Sequence, residues 1–169
     1  MFDTTTYLDR RKKLKKQVQS GIVLFLGNDE STMNYMANTY HYRQDSSFLY
    51  YWGLDFPGLA ALIDLDEGSE IIFGNDFTVD DIIWMGPQAT IAGNSVMVGV
   101  NPTESIDKLA QRTSEALQNG RRVHYLPQYR HDNLLKMESI TGIHNTLVNS
   151  YASKEFIKAV IAQRSIKSD

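Results

Sequence analysis

Five consecutive apolar residues, Ile22-Val23-Leu24-Phe25-Leu26, stand between Gly21 and Gly27. The run is too short for an ordinary helix and has no polar residue at alternate positions, so it reads as a strand covered on both faces. Such a strand needs a helical layer above and another below. The flanking sequence supplies candidates for both. From Thr6 to Ser20, Tyr7, Arg11, Leu14 and Val18 recur at helical spacing, while Arg10, Lys12, Lys13, Lys15 and Lys16 point elsewhere. Gly21 is the expected end of that helix.

Gly27 to His41 is polar and without period, which predicts a long loop. The aromatic stretch Tyr40 to Gly53 follows, with Asp45 or Ser46 as the cap of a short helix and Gly53 as its stop. Leu59–Leu65 and Glu70–Phe73 flank Asp66-Glu67-Gly68, a hairpin whose turn needs the positive φ that Gly68 tolerates. Thr78, three residues before Asp81, predicts a capped helix ending near Gly86. Ser95–Val100 alternates as a strand, and Asn101-Pro102-Thr103-Glu104 reads as a helix start backed by the stripe Ile106, Leu109, Ala110, Thr113 and Leu117. Asn119-Gly120 closes that helix. Val123–Leu126 predicts another strand, Asp132–Glu138 a helix and Thr146–Val148 a short strand. Ser153 should cap a last helix with Phe156, Ile157, Val160 and Ile161 on one face. The order implies one α/β domain over residues 1–169, a three-layer sandwich with a mixed sheet of about six strands and helices on both faces. The last helix runs to Asp169 without a stop signal, so residues 153–169 are expected to begin a connection to a further domain.

Composition narrows the chemistry. With 17 Lys and Arg against 20 Asp and Glu the formal charge is -3, which provides no global field for a polyanion, so nucleic acid is not an expected partner. There is no cysteine, hence no disulfide, thiolate metal site or thiol nucleophile. No apolar run approaches the length of a membrane span and no apolar leader is evident, so a soluble, cytoplasmic protein without membrane contact is expected. His41, His124, His131 and His144 lack metal-ligand spacing, and His124, alternating with Val123 and Tyr125, reads as structural. Asp64-Leu65-Asp66-Glu67-Gly68 lacks the later ligands of a calcium loop and is better explained as a turn. Gly93-Asn94-Ser95-Val96 is not a nucleophile elbow, and no phosphate-binding glycine pattern occurs. Asp76, Asp80 and Asp81 are explained by the helix start they surround. Arg10 to Lys16, six cations in seven positions, reads as a solvated helix face rather than a lipid or phosphate site. No catalytic, cofactor or metal residue is assigned. Trp84-Met85-Gly86 is either ordinary packing or an exposed anchor for a partner.

Three stretches carry a resemblance. Tyr42-Arg43-Gln44-Asp45-Ser46-Ser47-Phe48-Leu49-Tyr50-Tyr51-Trp52-Gly53-Leu54 with Gly58–Leu65, then Asp81-Ile82-Ile83-Trp84-Met85-Gly86, then Ala159 to Ser168, resemble in order the N-terminal domain of aminopeptidase P, the Xaa-Pro aminopeptidase family. The resemblance implies a creatinase-like, non-catalytic domain ahead of a catalytic domain that holds two divalent metals, commonly Mn2+. Two Asp, one His and two Glu would bind them there, to split the bond before a proline in a peptide substrate.

All of those ligands would lie beyond Asp169, so the 169 residues alone are expected to be inactive and to hold no metal. The resemblance further implies a homo-oligomer, dimer or tetramer, in which this domain contributes assembly and active-site access, its partners being its own catalytic domain and the peptide. Trp84 matches the family's tryptophan in a loop that reaches the active site of another subunit, so a substrate-site contact in trans is carried over for this residue alone. Pro87-Gln88 stands where the family often has arginine, so the loop lacks a cation there. The alternative is a creatinase-type domain used as a protein-interaction module without peptidase activity.

Overall fold

The computed structural model describes residues 2–35 and 37–166. Helix α1 spans Thr4–Gln17 and strand β1 spans Ile22–Leu26. The expected strand is thus found at its predicted bounds, buried at every position. Helix α2 is Ser46–Trp52, and β2 (Ala60–Asp64) and β3 (Glu70–Phe73) form the predicted hairpin with Gly68 at φ 74°. Helices α3 (Val79–Met85) and α4 (Ile91–Val96) precede β4 (Thr103–Glu104). Then come α5 (Lys108–Gln118), β5 (Val123–His124), α6 (His131–Thr141), a 3-10 turn at Val148–Tyr151 and α7 (Lys154–Arg164).

The sheet has five strands in the order β4-β3-β2-β1-β5, rather than about six. β1 is antiparallel to β2 and parallel to β5, so the sheet is mixed as expected. One face of β1, with Val23 and Phe25, packs on α1, α2 and α7; Phe25 lies 5.1 Å from Tyr51, 5.8 Å from Trp52 and 5.4 Å from Phe156 between ring centroids. The other face, with Ile22, Leu24 and Leu26, packs on Leu109 of α5 and Met137 and Ile140 of α6. The apolar run is therefore continuous because both of its faces are interior.

Three local predictions are corrected. Ser95–Val100 is the end of α4 and a turn, not a strand: Thr90 caps the helix by accepting from Gly93 N, and Gly99 at φ 76° reverses the chain so that Val98 and Val100 both face the core. Asn101–Glu104 does not start a helix. Its backbone is captured by β3, with Ile72 N donating to Pro102 O at 3.4 Å and Gly74 N to Glu104 O at 3.0 Å, and α5 begins only at Lys108. A proline lacking an N–H is tolerable at that sheet edge. Thr146–Val148 feeds the 3-10 turn instead of pairing. The last helix buries Phe156, Ala159, Val160 and Gln163, while Ile161 faces outward. The expectation for residues 153–169 reaches Lys167–Asp169, which lie outside the described residues.

Candidate functional site

Two segments that the sequence singled out lie on different parts of the molecule. The first is the turn around α2. Asp45 caps it, its Oδ1 accepting from Ser47 N at 2.8 Å and Phe48 N at 2.9 Å, and Gly53 ends it at φ 66° where a Cβ would stand 2.2 Å from Tyr7 Cζ. Gln44 is buried beneath. Its Oε1 accepts from Asn28 N (2.7 Å) and Asp45 N (2.9 Å), and its Nε2 donates to Phe56 O (2.9 Å) and Leu54 O (3.4 Å). One amide therefore ties together the exit of β1, the start of α2 and the entry to β2. Such a side chain is architectural: its donors and acceptors are consumed by main chain that would otherwise be buried without partners.

The second is the excursion from β3 to α4. Thr78 and Asp81 form the predicted capping box, with Asp81 N donating to Thr78 Oγ1 at 3.2 Å and Thr78 N donating to Asp81 Oδ2 at 2.9 Å. The Thr78 hydroxyl, donating to Asp81 Oδ2 at 2.6 Å, and then the Thr78 N–H hold the Asp81 carboxyl below its ordinary value. At the root, Asp76 Oδ1 accepts from Ile91 N at 2.6 Å and fastens the two ends together. Between them α3 has no buried residue at all. Trp84 is 88% exposed, Val79 74% and Ile83 72%, and Met85 and Ile82 add further uncovered apolar surface. A seven-residue helix is marginal in water without packing on one face. Here the apolar side chains that would provide it point away from the domain. A cleft of about 600 Å3 opens beside the root, walled by Phe56, Pro57, Phe77 and Ile91, with the Asp29–Lys136 ion pair at its edge.

The other candidates are accounted for by structure. His124 is buried between Ser153 Oγ (2.8 Å from Nδ1) and Ser20 O (2.9 Å from Nε2). The carbonyl can only accept, so Nε2 carries the proton and Nδ1 accepts from Ser153. Burial, the largest influence, lowers the His124 pKa. Asp64 Oδ1 accepts from Asp66 N and Glu67 N, and Arg121 spans Asp64 and Asp66, which makes that acidic stretch a braced turn. Among the described residues no three His, Asp or Glu side chains gather as a metal site, and no helix is long and apolar enough to cross a membrane. In the basic run Arg11 is fully enclosed and Arg10 stacks 4.0 Å over Tyr50, whereas Lys12, Lys13 and Lys16 are solvated.

A family model described as "Aminopeptidase P, N-terminal domain" matches residues 7–125. The chain belongs to that family. Within it, the chain is 28% identical over 117 residues to the Arabidopsis thaliana "Intermediate cleaving peptidase 55, mitochondrial", covering 69% of this chain and 24% of that protein. It is 27% identical over 104 residues to the human "Xaa-Pro dipeptidase", covering 61% of this chain and 21% of that one. Escherichia coli aminopeptidase P in its low-pH form shares the fold with a TM-score of 0.70 at 20% identity, over 84% of this chain and 33% of the other. The same enzyme with the inhibitor Pro-Leu gives 0.69 at 21% identity. The chain thus spans about a quarter of the curated relatives it matches and about a third of the solved ones. In this domain of aminopeptidase P and prolidase-type peptidases, the Tyr42–Leu54 stretch forms the Gln44 turn and Trp84 stands at the exposed end of α3. Sequence reasoning named Trp84 but not the apolar neighbours exposed with it. Their run Ile82-Ile83-Trp84-Met85, with no polar position between, was the available signal.

Proposed function

We propose that this chain works as the non-catalytic N-terminal domain of a Xaa-Pro-type metallopeptidase, joined through residues 153–169 to a catalytic domain that binds two divalent metals, Mn2+ in this reading. It would act in the cytoplasm as a homo-oligomer. The observation that carries the proposal is the solvent-facing α3, with Trp84 uncovered on a tongue whose two ends are fastened to each other. A large apolar tip held out from a rigid base suits a contact with another subunit, where Trp84 would border the substrate site and limit access of the peptide. This domain's share of the work would be assembly and access, with bond cleavage left to the rest of the protein.

Reading the coding sequence beyond residue 169 tests the first half. The expected finding is a domain with two Asp, one His and two Glu in that order; a stop codon, or a domain without that set, overturns it. The second half is tested on the assembled protein. Trp84→Ala is expected to lower kcat/KM for a proline-containing peptide, and unchanged kinetics would remove Trp84 from the site.

A further inference from the structure

β1 and β5 are parallel neighbours, yet they pair only at Ile22↔Val123 and Val23↔His124. Beyond Val23 the residues of β1 are paired with β2 alone. The reason lies in where each strand leads. The chain leaving β1 crosses to α2 on one face of the sheet, and the chain leaving β5 crosses to α6 on the opposite face. The exits diverge, and a crevice opens between the carboxyl ends of the two strands. In open α/β sheets that position, where adjacent strands send their connections to opposite faces, is where ligands bind.

The crevice holds about 640 Å3, within the range of ligand sites. Leu26, Leu126, Ile157 and Val160 give it an apolar wall, and Arg43 and Arg164 stand among the polar groups lining it. The one carboxylate in the lining, Asp45, is already committed to capping α2. Among the described residues Arg164 donates one bond, to Ser47 Oγ at 2.7 Å, with the other N–H groups of its fork unpaired there. Arg43 is exposed, and its side chain has no ion pair or hydrogen bond among the described residues. Two guanidinium groups against the single carboxylate of Asp45 leave the crevice with one excess positive charge beside an apolar wall, which favours a carboxylate ligand that an arginine fork grips with two parallel bonds.

We infer that the crevice between β1 and β5 binds a carboxylate carried on a branched apolar body, either the C-terminal end of a peptide or a free small acid. The site is separate from Trp84 and does not depend on the role of α3. The test titrates the isotope-labelled 169-residue chain with acetyl-Val-Leu bearing a free carboxylate, with its C-terminal amide and with isocaproate, following backbone amide signals. Saturable shifts at Leu24–Leu26 and Leu126–Tyr129 are expected with the free carboxylate, and binding roughly tenfold or more weaker with the amide and in both Arg43→Gln and Arg164→Gln. The spectrum away from the crevice reports that each variant is folded. Tighter binding of the acetyl peptide than of isocaproate assigns the site to peptide ends, and equal binding assigns it to small acids. No saturable shift up to about 1 mM, shifts elsewhere, or equal affinity for acid and amide overturns the inference.

Discussion

Arg11 and Glu70 meet at 2.7 Å, the guanidinium completely enclosed and the carboxylate shared with Lys15 at the same distance. The two terminal nitrogens of Arg11 donate to Tyr51 O and Val98 O, each at 2.9 Å, and its Cζ lies 4.9 Å from the Trp52 ring centroid. One side chain of α1 thereby joins α2, β3 and the turn after α4. Burial, the largest influence, lowers the Arg11 pKa, and Glu70 opposes it. Removing one partner of a buried pair leaves the other charge desolvated. Glu70→Gln is therefore expected to cost about 3 kcal/mol of stability in urea unfolding. Arg11→Met combined with Glu70→Gln should cost less than the sum of the two single changes; strict additivity would refute the coupling.

His124 makes stability depend on pH. Its folded pKa lies below the ordinary value of 6.5, so between the two values the unfolded chain binds a proton that the folded chain resists. The stabilisation is fully present above pH 6.5 and is lost as pH falls through the folded pKa. Urea midpoints measured from pH 8 down to pH 5 should decline in that window, and the decline should flatten in His124→Gln. An unchanged slope in the variant would assign the decline to other groups.

Gln44 satisfies four main-chain groups with one amide. Gln44→Ala leaves them without those bonds in a buried turn and is expected to cost about 3 kcal/mol, against about 1 kcal/mol for removing only the cap in Asp45→Ala. Chemical denaturation of both variants checks the order. If Asp45→Ala proves the more damaging, the turn is held by its cap rather than by Gln44.

Trp84 touches nothing that the fold requires, since α3 buries no residue. Trp84→Ala should leave the thermal midpoint of the chain nearly unchanged, within about 0.5 kcal/mol, while reducing kcat/KM of the assembled protein roughly tenfold or more. A large loss of stability instead would mean that the tryptophan packs within its own domain.

Much of the architecture was legible because local pattern and tertiary packing agree there. The run Ile22–Leu26, the turn at Gly68, the Asp45 cap with its Gly53 stop and the Thr78–Asp81 box each need only neighbouring residues to be recognised. Residues 101–104 were misread for the opposite reason: Pro102 and Glu104 have the chemistry of a helix start, but the open edge of β3 takes their carbonyls first. The alternation of Val96, Val98 and Val100 likewise resembles a strand until Gly99 turns the chain. At the candidate site the sequence could name Trp84 through its motif, yet not its exposure, which depends on where the domain lies relative to α3.

By itself the sequence determined the alternation of helix and strand, the interior character of β1 and the family, because apolar spacing, caps and motifs are properties of consecutive residues. Only the tertiary structure decided which charge is interior, which apolar helix is left uncovered and where β1 and β5 separate. Arg11 and Glu70 are 59 positions apart, and Leu26 and Leu126 a hundred. Whether such pairs meet, and what lies between them, follows from how layers pack on the two faces of the sheet rather than from the order of residues along either segment.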